Sequence, residues 1–376
     1  MKKLCVITTV DITMSNFVIP AMREMKKLGY DITLICNMSE TFYSQFADEF
    51  HCIDIKMKRG ISIIDCIKIP FLFKEIFEKE NFDYIQYATP NASLYASIGA
   101  ILARMPIRVY CQWGIRYVGM KGFIRHFFMM IEKFICKCST NIYSASWKNL
   151  QFAVSEGLYQ KEKAIVLGDG GTVGVDLNRF DLYKKPLFRE RLLAEIPILE
   201  NKIVFTFIGR INRDKGICEL LEAFYNLSHE YQNIILLLVG KVESEILVED
   251  MKNNKKIIFI GYTKEVEKYL SISDVLVHPS YREGFSMVIQ QAMAFELPII
   301  TTDIPGPSEV IENGLSGILV QPKNSVQLYE AMKWMLEHPR EREKMGKNGR
   351  QRCLEKFTRE RMLKLTVDNI EQILKL

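Results

Sequence analysis

Short apolar runs alternate with amphipathic stretches along the first half of the chain. Runs bounded by turn residues predict strands, and apolar positions recurring three or four residues apart predict helices. The predicted strands are Leu4–Thr8, Ile32–Cys36, Tyr84–Tyr87, Arg108–Cys111, Asn141–Ser144 and Ala164–Leu167, and the helices between them include Phe17–Leu28, Ile63–Glu80 and Gly122–Cys138.

The same alternation returns in the second half. Its predicted strands are Ile203–Ile208, Ile234–Val239, Ile257–Ile260, Val275–Val277, Pro298–Thr301 and Ile318–Val320. Strands that are apolar on both faces and joined by helices are typical of doubly wound parallel sheets. We therefore predict an α/β protein with two Rossmann-like domains.

A turn-rich, charged segment between Gly168 and Asn201 separates the two halves. We predict an N-terminal, acceptor-binding domain over residues 1–175 and a C-terminal, donor-binding domain over residues 176–355. The last residues, 356–376, form a helix that can cross back to the N-terminal domain. Ligands of open α/β sheets bind at the carboxyl ends of the strands, so a central cleft between the domains is the expected site.

Length and composition agree with a two-domain protein. The chain has 376 residues, of which 48% are hydrophobic, enough for two cores of ordinary size. Asp11 interrupts the first apolar run, which we interpret as a strand and not as a signal peptide. The uncharged stretch Tyr84–Ala103 contains too many polar residues to span a bilayer. Nine cysteines without a CxxC pair indicate reduced thiols in a cytoplasm, and neither a zinc site nor a disulfide framework.

Positive charge is concentrated in the first half. There are 22 Lys and Arg against 17 Asp and Glu up to Phe180, and 28 of each afterwards. Between Arg104 and Lys148 eight basic residues accompany one acid, Glu132, with Phe and Met interleaved. We predict that the basic helix 121–138 contacts an anionic cytoplasmic membrane surface. The alternative is a core helix with a solvated basic face. Nucleic acid is not a predicted partner, because the pI is about 8.6 and no nucleic-acid motif is present.

The segment Ser280–Ala294 combines an acid with backbone amides at the start of a helix. Glu283 is followed by the tetrad Gly284–Met287, where glycine lets the backbone approach a ligand closely. Free N–H groups and the positive end of a helix dipole favour a phosphate or diphosphate. The carboxylate of Glu283 can accept hydrogen bonds from hydroxyl groups. This combination is suited to a sugar diphosphate.

A second motif, Gly209–Gly216, follows the predicted strand Ile203–Ile208. It places Arg210 and Lys215 on a strand-to-helix loop, where two cations can neutralise a diphosphate. The alternative is that both side chains only solvate the loop. The flanking glycines and the position at a strand end favour the functional interpretation.

Together these motifs resemble glycosyltransferase family 4, whose members are retaining nucleotide-sugar transferases of the GT-B fold. The resemblance covers nearly the whole chain. It includes Gly209–Gly216, the segment from His278 to Ile311 and the linker Gly168–Phe180, while the start, Ile7–Asp11, resembles transferases for bacterial capsule, O-antigen and glycan precursors. It implies that Arg210 and Lys215 hold the donor diphosphate and that Glu283 binds hydroxyls of the transferred sugar. It also implies that the tetrad amides complete the phosphate site and that Tyr262 faces the base.

The chain departs from the family pattern at three places. Gln291 stands where the family has a second Glu, expected to bind the ribose hydroxyls, and an amide offers one acceptor oxygen instead of a carboxylate. The segment Thr9–Thr13 after the first strand has no glycine. Relatives often carry His-Gly where this chain has Trp113-Gly114, so Trp113 or Gln112 has to serve differently here.

Four further residues are weaker candidates. Asp11 and Asp169 could contact an acceptor, but we interpret them as turn or capping residues. His278 is interpreted as a packed strand-end histidine and not as a base, and His126 as a surface residue of the basic helix. No metal cluster and no DxD motif are visible in the sequence.

We predict a metal-independent retaining transferase that moves a hexose-type sugar from a nucleoside diphosphate, with UDP favoured, to a polyprenyl-diphosphate-linked glycan in cell-surface polysaccharide synthesis. The donor is a substrate, and no cofactor is predicted. Two alternatives are a nucleotide-sugar epimerase on the same fold and an inactive sugar-nucleotide-binding partner subunit. The predicted catalytic residues are Arg210, Lys215 and Glu283, and the predicted donor-binding residues are Gly209, Tyr262, Gly284, Phe285, Ser286, Met287 and Gln291.

Overall fold

A computed structural model describes residues 1–57, 60, 62–243 and 254–375. The chain divides into two compact units, one formed by Met1–Val173 with Glu360–Leu376 and the other by Gly174–Arg359. The limits therefore lie at 173/174 and 359/360, compared with the predicted limits of 175/176 and 355/356.

The first unit contains a seven-stranded sheet in the order β3-β2-β1-β4-β5-β6-β7. All neighbouring strands are parallel. The strands are β1 Lys3–Val10, β2 Asp31–Asn37, β3 His51–Asp54, β4 Tyr84–Ala88, β5 Arg108–Gln112, β6 Asn141–Ser144 and β7 Ala164–Ile165. The helices are α1 Asp11–Phe17, α2 Ile19–Lys27, α3 Glu40–Phe46, α4 Ile63–Glu80, α5 Pro90–Leu102, α6 Gly122–Cys138 and α7 Trp147–Ser155.

Helices cover both faces of this sheet. Apolar residues of α1, α2 and α3 form one core with the strands, and residues of α4 to α7 form another. The last helix of the chain, α15 (Arg359–Lys375), adds Ile370, Ile373 and Leu374 to the core on the α1–α3 side. The C-terminal helix therefore belongs to the first unit.

The second unit contains a six-stranded parallel sheet in the order β10-β9-β8-β11-β12-β13. Its strands are β8 Ile203–Ile208, β9 Ile234–Val239, β10 Ile257–Gly261, β11 Val275–His278, β12 Ile299–Thr302 and β13 Gly317–Val320. Its helices are α8 Lys185–Glu195, α9 Ile217–Glu230, α10 Val266–Ile272, α11 Met287–Ala294, α12 Pro307–Val310, α13 Ser325–Glu337 and α14 Pro339–Lys356. Residues of α9 and α13 form the core on one face of the sheet.

The two passages of chain that connect the units run side by side. Val175 donates its N–H to Phe357 O (2.8 Å), and Arg359 donates its N–H to Val175 O (2.9 Å). The Arg359 guanidinium also contacts Asp176, with 2.7 Å between Nη1 and Oδ2. Backbone pairing and an ion pair therefore fix the outgoing and returning segments to each other.

The predicted doubly wound parallel sheets are confirmed, with two local differences. The strand β3 was missed, because His51–Asp54 contains no fully buried residue and shows no apolar run. The helix predicted over Phe17–Leu28 corresponds to α2 (Ile19–Lys27), and the helix before it, α1 (Asp11–Phe17), was missed; the two are separate because Pro20 at the start of α2 has no N–H for a hydrogen bond to the preceding turn. Within the part of the chain that is described, no helix is both long and apolar enough to cross a bilayer.

Candidate functional site

Two loops of the second unit meet where the direction of strand order reverses. Strands β8 and β11 are parallel neighbours, with Phe205 opposite Val275. In the strand order they separate β9 and β10 on one side from β12 and β13 on the other, so their carboxyl ends form the topological switch point at which such sheets bind ligands. The loop after β8 carries Lys215, and the loop after β11 carries Glu283.

A glycine allows these two loops to touch. Gly216 has a φ of +70°, and a Cβ added there would lie 2.0 Å from Pro279 O. Any other residue would therefore be strained and would also push the loops apart. The preceding turn is fixed by Asn212, whose Oδ1 accepts the N–H of Lys215 (3.2 Å).

Lys215 and Glu283 form a largely buried ion pair. Lys215 Nζ contacts Glu283 Oε2, and the two side chains are 13% and 22% exposed. Burial by itself raises the pKa of Glu283, but the charge of Lys215 and a hydrogen bond from His278 together bring that pKa well below its ordinary range. Glu283 is therefore an anion at neutral pH. It can accept hydrogen bonds from hydroxyls but has no proton to donate.

His278, the last residue of β11, orients this carboxylate. Its Nε2 lies 3.2 Å from Glu283 Oε2 and 3.2 Å from Ser280 Oγ. The ring is buried and stacks on Phe207, with 6.0 Å between the centroids. Burial lowers the pKa of His278, so the ring is neutral near pH 7. Donation to Glu283 then assigns the proton to Nε2.

Nδ1 of His278 is accordingly the acceptor nitrogen of the ring. Among the described residues no hydrogen-bond partner is found for it. The hydrogen bond to Glu283 is thus the interaction that fixes the tautomer and the ring orientation. His278 was interpreted from sequence as a packed strand-end histidine; it is packed, and it also contacts the predicted sugar-binding carboxylate.

The predicted amide tetrad lies at the start of α11. Ser286 is the residue that precedes the helix, and its side chain makes no capping hydrogen bond. The first N–H groups of α11 are therefore left without that cap. Phe285 is buried against Phe357 (5.4 Å between centroids), which anchors the tetrad to the core. Met287 is the first helical residue.

A second glycine lies directly against the backbone of the tetrad. Gly306, before α12, has a φ of +93°, and a Cβ there would lie 1.5 Å from Gly284 O. Only glycine allows this approach of the two backbones. The tetrad loop is therefore held between the β12–α12 connection and the start of α11.

Arg210 has a different environment from Lys215, although both lie on the loop after β8. Its Nη1 is 2.9 Å from Glu243 Oε2, which also accepts from Asn212 Nδ2 (2.8 Å). Gly209 continues the ladder of β8, donating its N–H to Val239 O (2.9 Å). The structure thus brings Lys215 and Glu283 into contact, while Arg210 is half-exposed and contacts Glu243.

Comparison with known proteins identifies the family of this chain. The family described as Glycosyl transferases group 1 matches residues 188–352, and the family described as Glycosyl transferase 4-like matches residues 3–146. The chain belongs to the group 1 and 4-like glycosyltransferases. The resemblance predicted from the two motifs is confirmed.

Two curated relatives and one solved structure illustrate the family. The capsular polysaccharide biosynthesis glycosyltransferase CapM of Staphylococcus aureus is 28% identical over 349 residues, covering 90% of each chain. The UDP-Gal:alpha-D-GlcNAc-diphosphoundecaprenol alpha-1,3-galactosyltransferase of Escherichia coli is 25% identical over 305 residues, covering 78% of this chain and 76% of the relative. HepE of Anabaena, solved with UDP and glucose, superposes with a TM-score of 0.81 at 17% identity, covering 99% and 100% of the two chains. This likeness shows the GT-B fold.

Two donor-binding predictions for this glycosyltransferase concern residues outside the Lys215–Glu283 contact. Tyr262 follows the edge strand β10 and is 61% exposed. Gln291 lies in the second turn of α11 and is half-buried, whereas Gln290 beside it is fully buried and donates from Nε2 to Ser286 O (3.2 Å). Gln291 is therefore the glutamine of α11 that a ligand can reach.

Gln112 and Trp113 of the first unit have partners within that unit. Gln112 is buried, donates from Nε2 to Glu132 Oε1 (2.7 Å) and accepts from the Tyr159 hydroxyl (2.8 Å). Trp113 packs on Phe17, with 5.3 Å between ring centroids. Both side chains therefore make packing and hydrogen-bond contacts within the first unit, which is a different use from the His-Gly of many relatives.

The two acids considered as acceptor contacts also have local partners. Asp11 is the first residue of α1, and its Oδ2 accepts the Ser39 N–H (3.0 Å). Asp169 lies 3.8 Å from the Arg361 guanidinium, measured from Oδ2 to Nη2. In the described ranges, no group of three or more His, Cys, Asp or Glu side chains is placed to hold a metal ion.

The contacts that organise this site were not predicted from the sequence. The meeting of Lys215 with Glu283, and the support from His278 and Gly306, depend on which strands are neighbours. One signal was available: His278, Ser280 and Glu283 fall within six residues at a strand end, close enough for their side chains to converge.

Proposed function

We propose that this glycosyltransferase moves a hexose-type sugar, with retention of configuration, from a UDP-sugar to a glycan carried on polyprenyl diphosphate in cell-surface polysaccharide synthesis. The observation that carries the proposal is the Lys215–Glu283 pair beside the N-terminus of α11. It puts a cation, the backbone amides at a helix N-terminus and a fixed carboxylate at one switch point. A diphosphate and a sugar need these groups side by side.

Each group has a distinct task in the proposed reaction. Cleavage of the anomeric carbon–oxygen bond leaves negative charge on the diphosphate, which Lys215 and the amides of the tetrad stabilise. The acceptor hydroxyl adds to the anomeric carbon on the side of the leaving group, and its proton passes to the departing phosphate oxygen. Glu283, held as an anion, binds sugar hydroxyls and favours the positive charge that develops on the sugar. Arg210 adds a second cation once the donor draws it from Glu243.

The identity of the substrates rests on relatives. The Escherichia coli relative is named for a UDP-galactose donor and a diphosphoundecaprenol acceptor, and the Staphylococcus aureus relative for capsular polysaccharide biosynthesis. HepE, which shares the fold, is described with UDP and glucose bound. In this proposal the nucleotide sugar is the substrate, no separate cofactor takes part, and Tyr262 and Gln291 meet the nucleoside. Helix α6 contacts the cytoplasmic membrane surface, where the acceptor resides.

The test is transfer by the purified protein. A panel of nucleotide sugars is incubated with membrane extract, and released nucleotide, product mass and anomeric configuration are measured. We expect a lipid-extractable product with retained configuration for one UDP-sugar, and loss of that product in Lys215→Met. Release of UDP without acceptor would instead indicate hydrolysis or epimerisation. Binding of UDP-sugars without turnover on any acceptor would indicate a sugar-nucleotide-binding subunit.

A further inference from the structure

Large apolar side chains protrude from the first turns of α4. Ile63, Ile64, Ile67 and Phe71 are 78%, 64%, 60% and 56% exposed. Their spacing places them along one stripe of the helix, opposite the buried Ile69, Phe73 and Phe77. Surface apolar residues are ordinary when scattered, but a continuous stripe of four is a feature of binding surfaces.

Helix α6 presents a second such stripe. Phe123, Ile124, Phe127 and Met130 are 84%, 60%, 41% and 53% exposed, while Ile135, Cys136 and Cys138 point into the core. As on α4, these four residues fall within the first ten positions of the helix. We refer to these eight side chains of α4 and α6 as the α4–α6 face.

Both stripes lie at the same end of the first sheet, the one formed by the carboxyl ends of its strands. Helices α4 and α6 contribute to the same core and each packs against α5. Each connects two parallel strands, so each runs antiparallel to the sheet and begins at the carboxyl ends of the strands. The α4–α6 face therefore borders the carboxyl-terminal end of the sheet, where open α/β sheets bind ligands.

The exposed charges of α6 are basic, whereas α4 carries both signs, with Asp65, Glu75 and Glu78 as well as Lys68. Lys121, which precedes α6, and Lys133 and Lys137 within the helix are exposed, and Lys68 is exposed among the apolar residues of α4. Glu132, the single acid of α6, is buried and accepts hydrogen bonds from Tyr110 and Gln112 (2.8 and 2.7 Å). The exposed charge of α6 thus has one sign. That sign complements anionic phospholipid headgroups.

One basic residue of α6 is committed elsewhere. The Arg125 guanidinium forms an ion pair with Glu156 and lies over the Tyr117 ring, 5.2 Å from its centroid. The three exposed lysines of α6 and its N-terminus are too few for firm electrostatic binding, because each contributes about 1 kcal/mol and salt screens it. Apolar contact has to supply the remainder.

We propose that the α4–α6 face inserts into the surface of an anionic phospholipid bilayer. Ile63, Ile64, Ile67 and Phe71 enter the acyl boundary together with the apolar residues of α6, while the lysines contact the headgroups. This adds a second helix and an apolar mode to the contact that sequence assigned to the basic helix alone. The inference relies on the proposed function only for the purpose of the contact, which is to present a lipid-borne acceptor to the adjacent end of the sheet.

Vesicle binding of two matched variants tests the insertion. One carries Ile64→Gln, Ile67→Gln and Phe71→Gln on α4. The control carries Ile101→Gln and Leu102→Gln. These substitutions remove exposed apolar side chains from the C-terminal end of α5, which lies at the amino-terminal end of the strands. Wild type and variants are sedimented with vesicles of phosphatidylglycerol and phosphatidylcholine at low and high salt, and their thermal unfolding is compared.

We expect wild type and control to keep part of their binding at high salt. The α4 variant should bind at least about a hundredfold more weakly there, since three inserted side chains are lost, with an unchanged unfolding midpoint. Tryptophan fluorescence gives a second readout: Phe71→Trp should shift to the blue on vesicle addition, and Leu102→Trp should not. Neither assay uses donor or acceptor, so failure of the proposed sugar transfer would leave these results standing.

Three results would overturn the inference. Equal binding of the α4 variant and wild type at high salt would remove α4 from the contact. Absence of a blue shift for Phe71→Trp on bound protein would show that the face does not enter the bilayer. A wild-type dimer that becomes monomeric in the α4 variant, with vesicle binding unchanged, would assign the face to a second copy of this chain.

Discussion

Replacing Glu283 by Gln separates the contributions of the two charged residues at the switch point. The substitution keeps the size of the side chain and one acceptor oxygen but removes the negative charge. In the structure Glu283 Oε2 contacts Lys215 Nζ and also lies 3.2 Å from His278 Nε2. The variant therefore changes both the ligand-free ion pair and the proposed sugar contact.

The magnitudes follow from the burial of the pair. Exposed ion pairs contribute about 0–1 kcal/mol, whereas breaking a buried pair costs about 3–5 kcal/mol. With both side chains mostly buried, we expect a loss of ~1–2 kcal/mol in unfolding free energy at pH 7. Because the pKa of Glu283 is lowered in the folded protein, its contribution is present above the ordinary carboxyl pKa. It disappears as the pH falls through the lowered value, so the difference between variant and wild type should shrink in strong acid.

Transfer and nucleotide binding should respond in opposite directions. Loss of the carboxylate from the sugar should slow transfer by on the order of a hundredfold, about 3 kcal/mol. UDP affinity should be kept or should rise by up to about tenfold, ~1.4 kcal/mol, because Lys215 no longer has to leave an ion pair to reach the diphosphate.

Calorimetric titration of UDP, combined with transfer rates and denaturant unfolding, measures all three effects. Lys215→Met is the matched control, since it removes the other partner of the same pair and should lose UDP affinity. If Glu283→Gln loses UDP affinity to the same extent as Lys215→Met, then Glu283 does not act at the sugar and the proposed division of tasks is wrong.

Three further substitutions test the rest of the site. Arg210→Ala should reduce transfer by on the order of a hundredfold, with little change in stability because Arg210 is half-exposed; near wild-type rates would remove it from the diphosphate. Burial lowers the pKa of His278 below 6.5, so the unfolded chain takes up the proton first and wild-type stability should fall as the pH drops below about 6.5. Unfolding of His278→Gln should depend less on pH in that range, and an unchanged pH profile would contradict the buried neutral ring. Gln291→Glu should strengthen UDP binding about tenfold, since an ionised acceptor holds hydroxyls more firmly, and the gain should shrink for 2′-deoxy-UDP; an equal gain for both nucleotides would show that Gln291 does not face the ribose.

The fold could be predicted from sequence where local pattern and burial agree. Strands such as Ile203–Ile208 and Ile234–Val239 are buried along nearly their whole length, so their apolar runs and their ends coincide. The edge strand His51–Asp54 has polar, exposed residues at both ends and only two half-buried apolar residues between them, so it could not be recognised in this way. Its place is set by pairing with β2, which is a non-local contact.

The site could be predicted in its parts but not in its connections. The glycine-flanked cations and the acid before the amide tetrad were visible as motifs at strand ends. That Lys215 meets Glu283 follows from the adjacency of β8 and β11, and this strand order is absent from the local sequence. For the same reason the partners of Arg210 and Arg125, which are Glu243 and Glu156, could not be assigned from sequence.

The burial of Glu132 in the core of the first unit determines the charge on the exposed side of α6. In the sequence this residue is the single acid among the basic residues of the helix, and on the surface it would have offset one of the exposed lysines. The fold places it instead against Tyr110 and Gln112, where burial raises its pKa and two donors stabilise the carboxyl group. The inward side of α6 therefore contains the acid, and the outward side contains only basic charge between exposed Phe and Met. The excess of basic over acidic residues in α6 is thus larger on the folded surface than in the sequence. This basic surface lies beside the apolar residues that we infer to enter the bilayer.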